Sequence, residues 1–186
     1  TSMQPSWQRP RTEAPGPVKV LGVDPGGGLT SNNVVETAER GQFRLVECGV
    51  IRTTAESDLP TRLRQVHEAI GDLLARHRPE VLAVEDAFHA RNARTTLVLG
   101  HARGVILLAG AEAGVVIAEY PPAVVKKAVT GRGAAQKPQV GFMVAQLLRL
   151  RQAPAPADAA DGVAVALTHL LRIHPARPLG AASRSR

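Results

Sequence analysis

Four carboxylates, Asp24, Glu85, Asp158 and Asp161, stand at the edges of apolar segments rather than inside polar runs. Acids usually face solvent, so four placed where strand ends can converge point to a site for a hard, oxygen-preferring cation. Asp158 and Asp161 are three residues apart, which puts them on one helical face across one turn. Both fall in a first helical turn, where the free amides favour anions. A helix cap at Asp158 and an exposed surface acid at Asp161 account for the same spacing and stay open at this point. If the strands ending at Asp24 and Glu85 are parallel neighbours, their carboxyl ends emerge on one edge, where a helix bearing the two aspartates can lie. Four acids that close repel one another, and divalent cations resolve the conflict. Two Mg²⁺ or Mn²⁺ ions roughly 4 Å apart suit a phosphodiester, one side activating water and the other stabilising the leaving 3′ oxygen.

The elements that must position these acids follow from the hydrophobic periods. Residues 18–23 form an apolar strand that ends at Asp24-Pro25 and three glycines. A second short strand is expected over 33–36, and a turn over 38–42 leads into a third over 43–51. Connections this short give an antiparallel meander, since a parallel crossover needs more chain. After Ser57-Asp58-Leu59-Pro60, a side-chain cap and an early proline, the period becomes helical, with Leu63, Val66, Ile70, Leu73 and Leu74 as its buried stripe. A strand follows over 81–85, then a helix from about 94 to 111 carrying Leu97, Val98, His101, Val105 and Leu108. A strand over 115–119 leads to a short helix opened by Pro121-Pro122, holding Val124, Val125 and Val129, and closed by Thr130-Gly131-Arg132-Gly133. Further helices are expected over 139–150 and, past Pro154-Ala155-Pro156, over about 158–171. The expected fold is α/β: a mixed five-stranded sheet with an antiparallel three-stranded meander and flanking helices.

At 186 residues the chain suits one domain. With three Phe, one Tyr and one Trp, the core must be filled by Ala, Val, Leu and Ile, which suits helix-on-sheet layers. The single Cys48 excludes an internal disulfide and fits a reducing compartment. No stretch reaches eighteen apolar residues and the first twenty lack a signal-peptide run, so a cytoplasmic protein without a membrane span is expected. The Pro, Gly, Ser and Thr rich residues 1–17 read as a flexible extension, 18–171 as the ordered body and 172–186 as a basic tail. Of the net charge of +7, four arginines without an acid lie in that tail. Such a charge permits a polyanionic partner without requiring one. The Gly26-Gly27-Gly28 turn is not a dinucleotide fingerprint, because Thr30-Ser31-Asn32-Asn33 rather than a helix follows, and no Walker A lysine is present. An actin-like ATPase phosphate loop fits an Asp followed by glycines, but such proteins need a second domain.

Seven blocks in order resemble a bacterial RuvC-type Holliday junction resolvase, from about residue 19 to 171. They are Leu21-Gly22-Val23-Asp24-Pro25-Gly26, Gly49-Val50-Ile51-Arg52-Thr53, Leu59-Pro60-Thr61-Arg62-Leu63, the run 84–92, Leu99-Gly100-His101-Ala102-Arg103-Gly104, the run 125–133, and Asp158-Ala159-Ala160-Asp161. The resemblance implies an RNase H-like fold and assigns metal binding and catalysis to Asp24, Glu85, Asp158 and Asp161. It also implies a homodimer that opens a four-way DNA junction and cuts opposing strands symmetrically, leaving 5′ phosphates and 3′ hydroxyls, with branch-migration motor proteins as partners. A two-fold dimer suits two equivalent cuts. Phe88 matches an aromatic that stacks on a base, and Arg91 and Asn92 beside it would meet the backbone at the crossover. Lys126 and Lys137 match basic positions near the substrate, and Lys127, Arg132 and Arg103 would widen the same positive surface. Among the histidines, His89 is placed to approach DNA, whereas His101 and His169 read as structural or surface groups. Two departures stand out. Where the family continues with a Thr-Gly, aromatic, Gly pattern, this chain has Thr30-Ser31-Asn32-Asn33, and Gly162 follows Asp161 at a helical position. A junction-binding module without catalysis is the competing reading.

Overall fold

A computed structural model of the chain describes residues 16–54, 56–86 and 92–174. Residues 1–15 of the expected extension, the tail beyond 174, and Phe88, His89 and Arg91 lie outside the described residues. The strands are β1 (Lys19–Asp24), β2 (Leu29–Ala38), β3 (Gln42–Arg52), β4 (Val81–Glu85) and β5 (Val116–Tyr120). The helices are α1 (Leu59–His77), α2 (Ala93–Glu112), α3 (Pro122–Thr130), α4 (Lys137–Leu147) and α5 (Ala159–Ile173). The strands make one sheet in the order β3-β2-β1-β4-β5. β1, β2 and β3 pair antiparallel, as the short connections require, while β1/β4 and β4/β5 pair parallel across the helical connections.

Side-chain alternation divides this sheet into two faces. Leu21, Val23, Val34, Leu82 and Val84 pack under α1 and α2 with Val66, Ile70, Leu73 and Ile106. Val20, Val35, Val81 and Ala83 pack on the other face under α3, α4 and α5 with Val125, Val144, Val163 and Leu167. The residues that continue this second set to the strand ends are Asp24 on β1 and Glu85 on β4. The parallel register pairs Val23 with Val84, so the next residues along, Asp24 and Glu85, are side by side on one face.

α5 crosses β1 and β2 on small residues. A side-chain carbon on Gly22 would come within 3.0 Å of the Gly162 carbonyl oxygen and of Ala166, so glycine is required where helix and strand backbones meet. α1 starts as its sequence indicates, with Asp58 accepting a hydrogen bond from the Thr61 amide at 3.0 Å and Pro60 in the first turn. α3 ends at Gly131, whose φ of 78° is the left-handed cap.

Three expectations need correction. The second strand runs over Leu29–Ala38, not 33–36, because Thr30, Ser31, Asn32 and Asn33 are buried strand residues with hydrogen-bonded neighbours on both sides. α4 covers Lys137–Leu147 rather than 139–150: Gln139 accepts from the Gln136 amide at 2.9 Å and so starts the helix earlier. On α2 the buried face is Ala102, Ile106, Ala109 and Gly110, while Leu97 and Leu108 are 64% and 51% exposed.

Candidate active site

A cleft of about 240 Å³ opens at the carboxyl ends of β1 and β4 and is lined by Asp24, Glu85, Lys126, Lys137 and Asp161, with Val125 and Val140 among its apolar walls. β1 and β4 deliver Asp24 and Glu85 from the sheet, the first turn of α5 delivers Asp161 from above, and α3 and the start of α4 deliver the two lysines. Asp158 is one turn before Asp161 and is joined to the cleft through Lys137, whose Nζ lies 2.7 Å from Asp158 Oδ1 and 2.8 Å from Asp161 Oδ2. Asp158 makes no side-chain cap to its own helix, so its spacing from Asp161 serves the shared cation instead.

The charges in this cleft do not balance locally. Burial, then the neighbouring Glu85 and Asp161, push the Asp24 carboxyl up to about 8. Burial and Asp161 push Glu85 up to about 7, against the pull of Lys126 and Lys137. Asp158 moves the other way: hydrogen bonding to Lys137 holds it below its ordinary value. The Lys137 ammonium is in turn held well above its ordinary value by hydrogen bonds to the two aspartates.

The donor set fits a hard divalent cation. Every acidic ligand candidate is a carboxylate, the two sheet acids resist ionising without added positive charge, and the Lys137 ammonium already stands in as a cation between the two helix acids. Among the described residues, no three acids, histidines or cysteines already stand in a chelating arrangement.

The other positions singled out in the sequence fall in four places. Lys126 and Lys137 face the cleft, and Lys127 and Arg132 are exposed beside it on α3 and the turn that follows, where Thr130 accepts from the Arg132 amide at 3.1 Å. Asn92 caps α2, accepting from the Thr95 amide at 2.9 Å. Arg103 lies on the opposite face of the sheet, 3.0 Å from Asp86 and paired also with Glu119. His169 meets the Tyr120 hydroxyl at 2.7 Å through Nδ1, and the Arg172 guanidinium lies over the Tyr120 ring.

Sequence reasoning missed two supports. Arg62 donates to the Gly27 carbonyl and, at 3.2 Å, to Thr53 Oγ1, tying the glycine turn after Asp24 to the end of β3. Asn33 donates to the Ala159 carbonyl at 3.0 Å and ties β2 to the first turn of α5. In the sequence Arg62 stands only inside a block of the resemblance, with no role attached, and Asn33 only as a polar residue out of place.

An antiparallel meander extended by two parallel strands, with acids at the ends of its central pair and on the helix crossing them, defines an RNase H-like domain. The family model for the crossover junction endodeoxyribonuclease RuvC matches residues 20–169, and the chain belongs to that family. It is 44% identical over 153 residues to the crossover junction endodeoxyribonuclease RuvC of Syntrophomonas wolfei, covering 82% of this chain and 88% of that protein. The RuvC of Halorhodospira halophila is 45% identical over 165 residues, covering 89% and 96%. The structure of T. thermophilus RuvC in complex with Holliday junction substrate superposes with a TM-score of 0.79 at 36% identity, covering 84% of this chain and 95% of that one.

Proposed function

We propose that the chain is a divalent-metal-dependent endonuclease that cuts opposing strands of four-way DNA junctions by phosphodiester hydrolysis, in recombination and repair. The observation that carries this reading is the meeting of Asp24, Glu85 and Asp161 in one cleft with Lys126 and Lys137. Asp24, Glu85, Asp158 and Asp161 would hold Mg²⁺ or Mn²⁺, two per site. Bound there, the ions supply Lewis acidity toward the phosphate and lower the pKa of a coordinated water. In the net reaction a water oxygen bonds to phosphorus and the bond to the 3′ oxygen breaks, which leaves a 5′ phosphate and a 3′ hydroxyl.

The chain's own groups have distinct parts in this. Lys126 and Lys137 present positive charge to the scissile phosphate from the wall opposite the sheet. Lys127, Arg132, Asn92 and, outside the described residues, Phe88 and Arg91 extend the DNA contact beyond the cleft. Arg103 acts differently from the other cations, since it pairs with Asp86, just past β4, and with Glu119 on β5.

Two equivalent cuts call for two copies related by a two-fold axis. The face of α2 that carries exposed Leu97 and Leu108 favours a second copy as its occupant. On the same reading, branch-migration motor proteins would be further partners. A free Cys48 and the lack, among the described residues, of a helix able to cross a membrane accord with a cytoplasmic setting.

Synthetic junctions incubated with Mg²⁺ or Mn²⁺ test the reading. Paired symmetric nicks are expected, lost in Asp24→Asn and Glu85→Gln while junction binding persists. A junction bound tightly but left intact with either ion would instead establish a binding module without catalysis.

A further inference from the structure

The two places where this sequence departs from its resemblance face each other across one packing seam. Asn33 pairs with Gly22 in the β1/β2 ladder, and Ser31 pairs with Asp24, so Ser31 and Asn33 share the sheet face of Asp24. α5 lies on that face with Gly162 against them. A side-chain carbon on Gly162 would fall within 3.0 Å of both Asn33 Nδ2 and Ser31 Oγ. The volume missing from the helix is therefore filled by polar side chains of the strand. From that notch Asn33 donates to the Ala159 carbonyl at 3.0 Å, between Asp158 and Asp161 in sequence. Asn33 is 1% exposed, and neither its Oδ1 nor Ser31 Oγ has a hydrogen-bond partner among the described residues. Buried amides are seldom kept for stability alone with half their capacity unused, because an unsatisfied polar atom is costly.

We infer that Asn33 is a positioning residue for the reaction: seated in the notch at Gly162, it holds the first turn of α5, and with it Asp158 and Asp161, in register with Asp24. The inference deepens the four-carboxylate reading and rests on it. It follows from the attachment points. Asp24 belongs to β1, while Asp158 and Asp161 belong to a helix connected to β1 only through more than a hundred residues of chain. Apolar packing of small residues against Gly22 sets the distance between helix and strand but tolerates sliding. A directed amide-to-carbonyl bond fixes rotation and register.

The test uses the full chain with Asn33→Ala, Gly162→Ala and the two together. Mn²⁺ affinity is read by electron paramagnetic resonance of free ion, with Asp24→Asn as the blank. Amide exchange over residues 158–163 is read without metal, and cleavage under steady state. Asn33→Ala should weaken Mn²⁺ binding about 10-fold, the usual effect of losing a group that orients metal ligands. It should speed exchange in the first turn of α5 and lower kcat with the KM for junction unchanged. Gly162→Ala should lower Tm by crowding Asn33 and Ser31, and the double variant should recover part of that Tm, Ser31 Oγ still meeting the added carbon, but not Mn²⁺ affinity. Wild-type affinity, exchange and kcat in Asn33→Ala would overturn the inference, as would full recovery of affinity in the double variant or an unchanged Tm in Gly162→Ala. Wild-type chain that binds no Mn²⁺ while Asn33→Ala still accelerates exchange would sink the metal reading and leave the latch standing.

Discussion

Glu85 and Asp86 are neighbours in sequence and opposites in circumstance. Alternation sends Glu85 to the α5 face, where it meets Asp24 and Asp161 and is pushed up to about 7. Asp86 goes to the α2 face, where the Arg103 guanidinium lies 3.0 Å away and Glu119 joins the same cation. Both clusters are acidic and part-buried at the same edge of one sheet. In one, both acids pair directly with an arginine; in the other, Asp24 and Glu85 have no ion pair among the described residues, and the acids outnumber the lysines. Burying charge without a partner is costly, so Asp24 and Glu85 are pushed towards their neutral forms unless added positive charge offsets the cost. The difference separates a brace from a site without appeal to the relatives.

Exchanging charge for amide on each side is the sharpest way to break that contrast. Asp24→Asn or Glu85→Gln should reduce junction cutting by at least about 100-fold, with binding retained. Asp86→Asn should leave cutting within a few-fold and instead destabilise the fold by about 1 to 3 kcal/mol, as expected when a part-buried charged group loses a partner. Equal losses of cutting on both faces, measured on one junction, would erase the distinction.

Stability without metal should depend on pH through Asp24 and Glu85. The Asp24 carboxyl sits near 8 in the folded chain against 3.8 unfolded. Between those values the folded state holds the extra proton, so its stability falls as pH rises through the window. Glu85 adds the same slope between 4.5 and about 7. Metal-free stability should therefore decline from pH 5 to pH 8 by on the order of a few kcal/mol, read as a falling Tm, and Mn²⁺ should restore it at the upper end. Asp24→Asn should flatten the profile and raise Tm at pH 8; a profile unchanged by that substitution would contradict the charge imbalance.

Subtler is the reach of each cation toward DNA. Lys127→Ala should lower the slope of log affinity against log salt by about 0.9 if the lysine meets one phosphate. Arg103→Gln should leave that slope alone, because its guanidinium is engaged by Asp86 and Glu119 on the other face. A matching drop for Arg103 would move it into the DNA surface.

Much of this arrangement is legible in the chain itself. Apolar runs ending in Asp24 and Glu85 locate strand ends, and short connections dictate which strands pair antiparallel. The three-residue spacing of Asp158 and Asp161 puts both on one turn. What the sequence hides is three-dimensional compensation. The expected strand begins only at Asn33 because Thr30, Ser31 and Asn32 are polar, and the burial of Ser31 and Asn33 depends on a helix far along the chain, with Gly162 opposite. Lys137 reads by resemblance as a basic position near the substrate, but its seat between two aspartates appears only when α4 and α5 pack together. Leu97 and Leu108 fit the period of α2 as well as its buried residues do, and periodicity alone cannot say which of two apolar faces the sheet takes.

Whether the acids form a single cation site is tested most directly by anomalous scattering from crystals soaked in Mn²⁺. The account predicts peaks within roughly 2.5 Å of carboxylate oxygens from Asp24, Glu85 and the α5 pair, with the Lys137 ammonium withdrawn from between Asp158 and Asp161. A cleft that keeps Lys137 in place and shows no peak at saturating Mn²⁺ would contradict it.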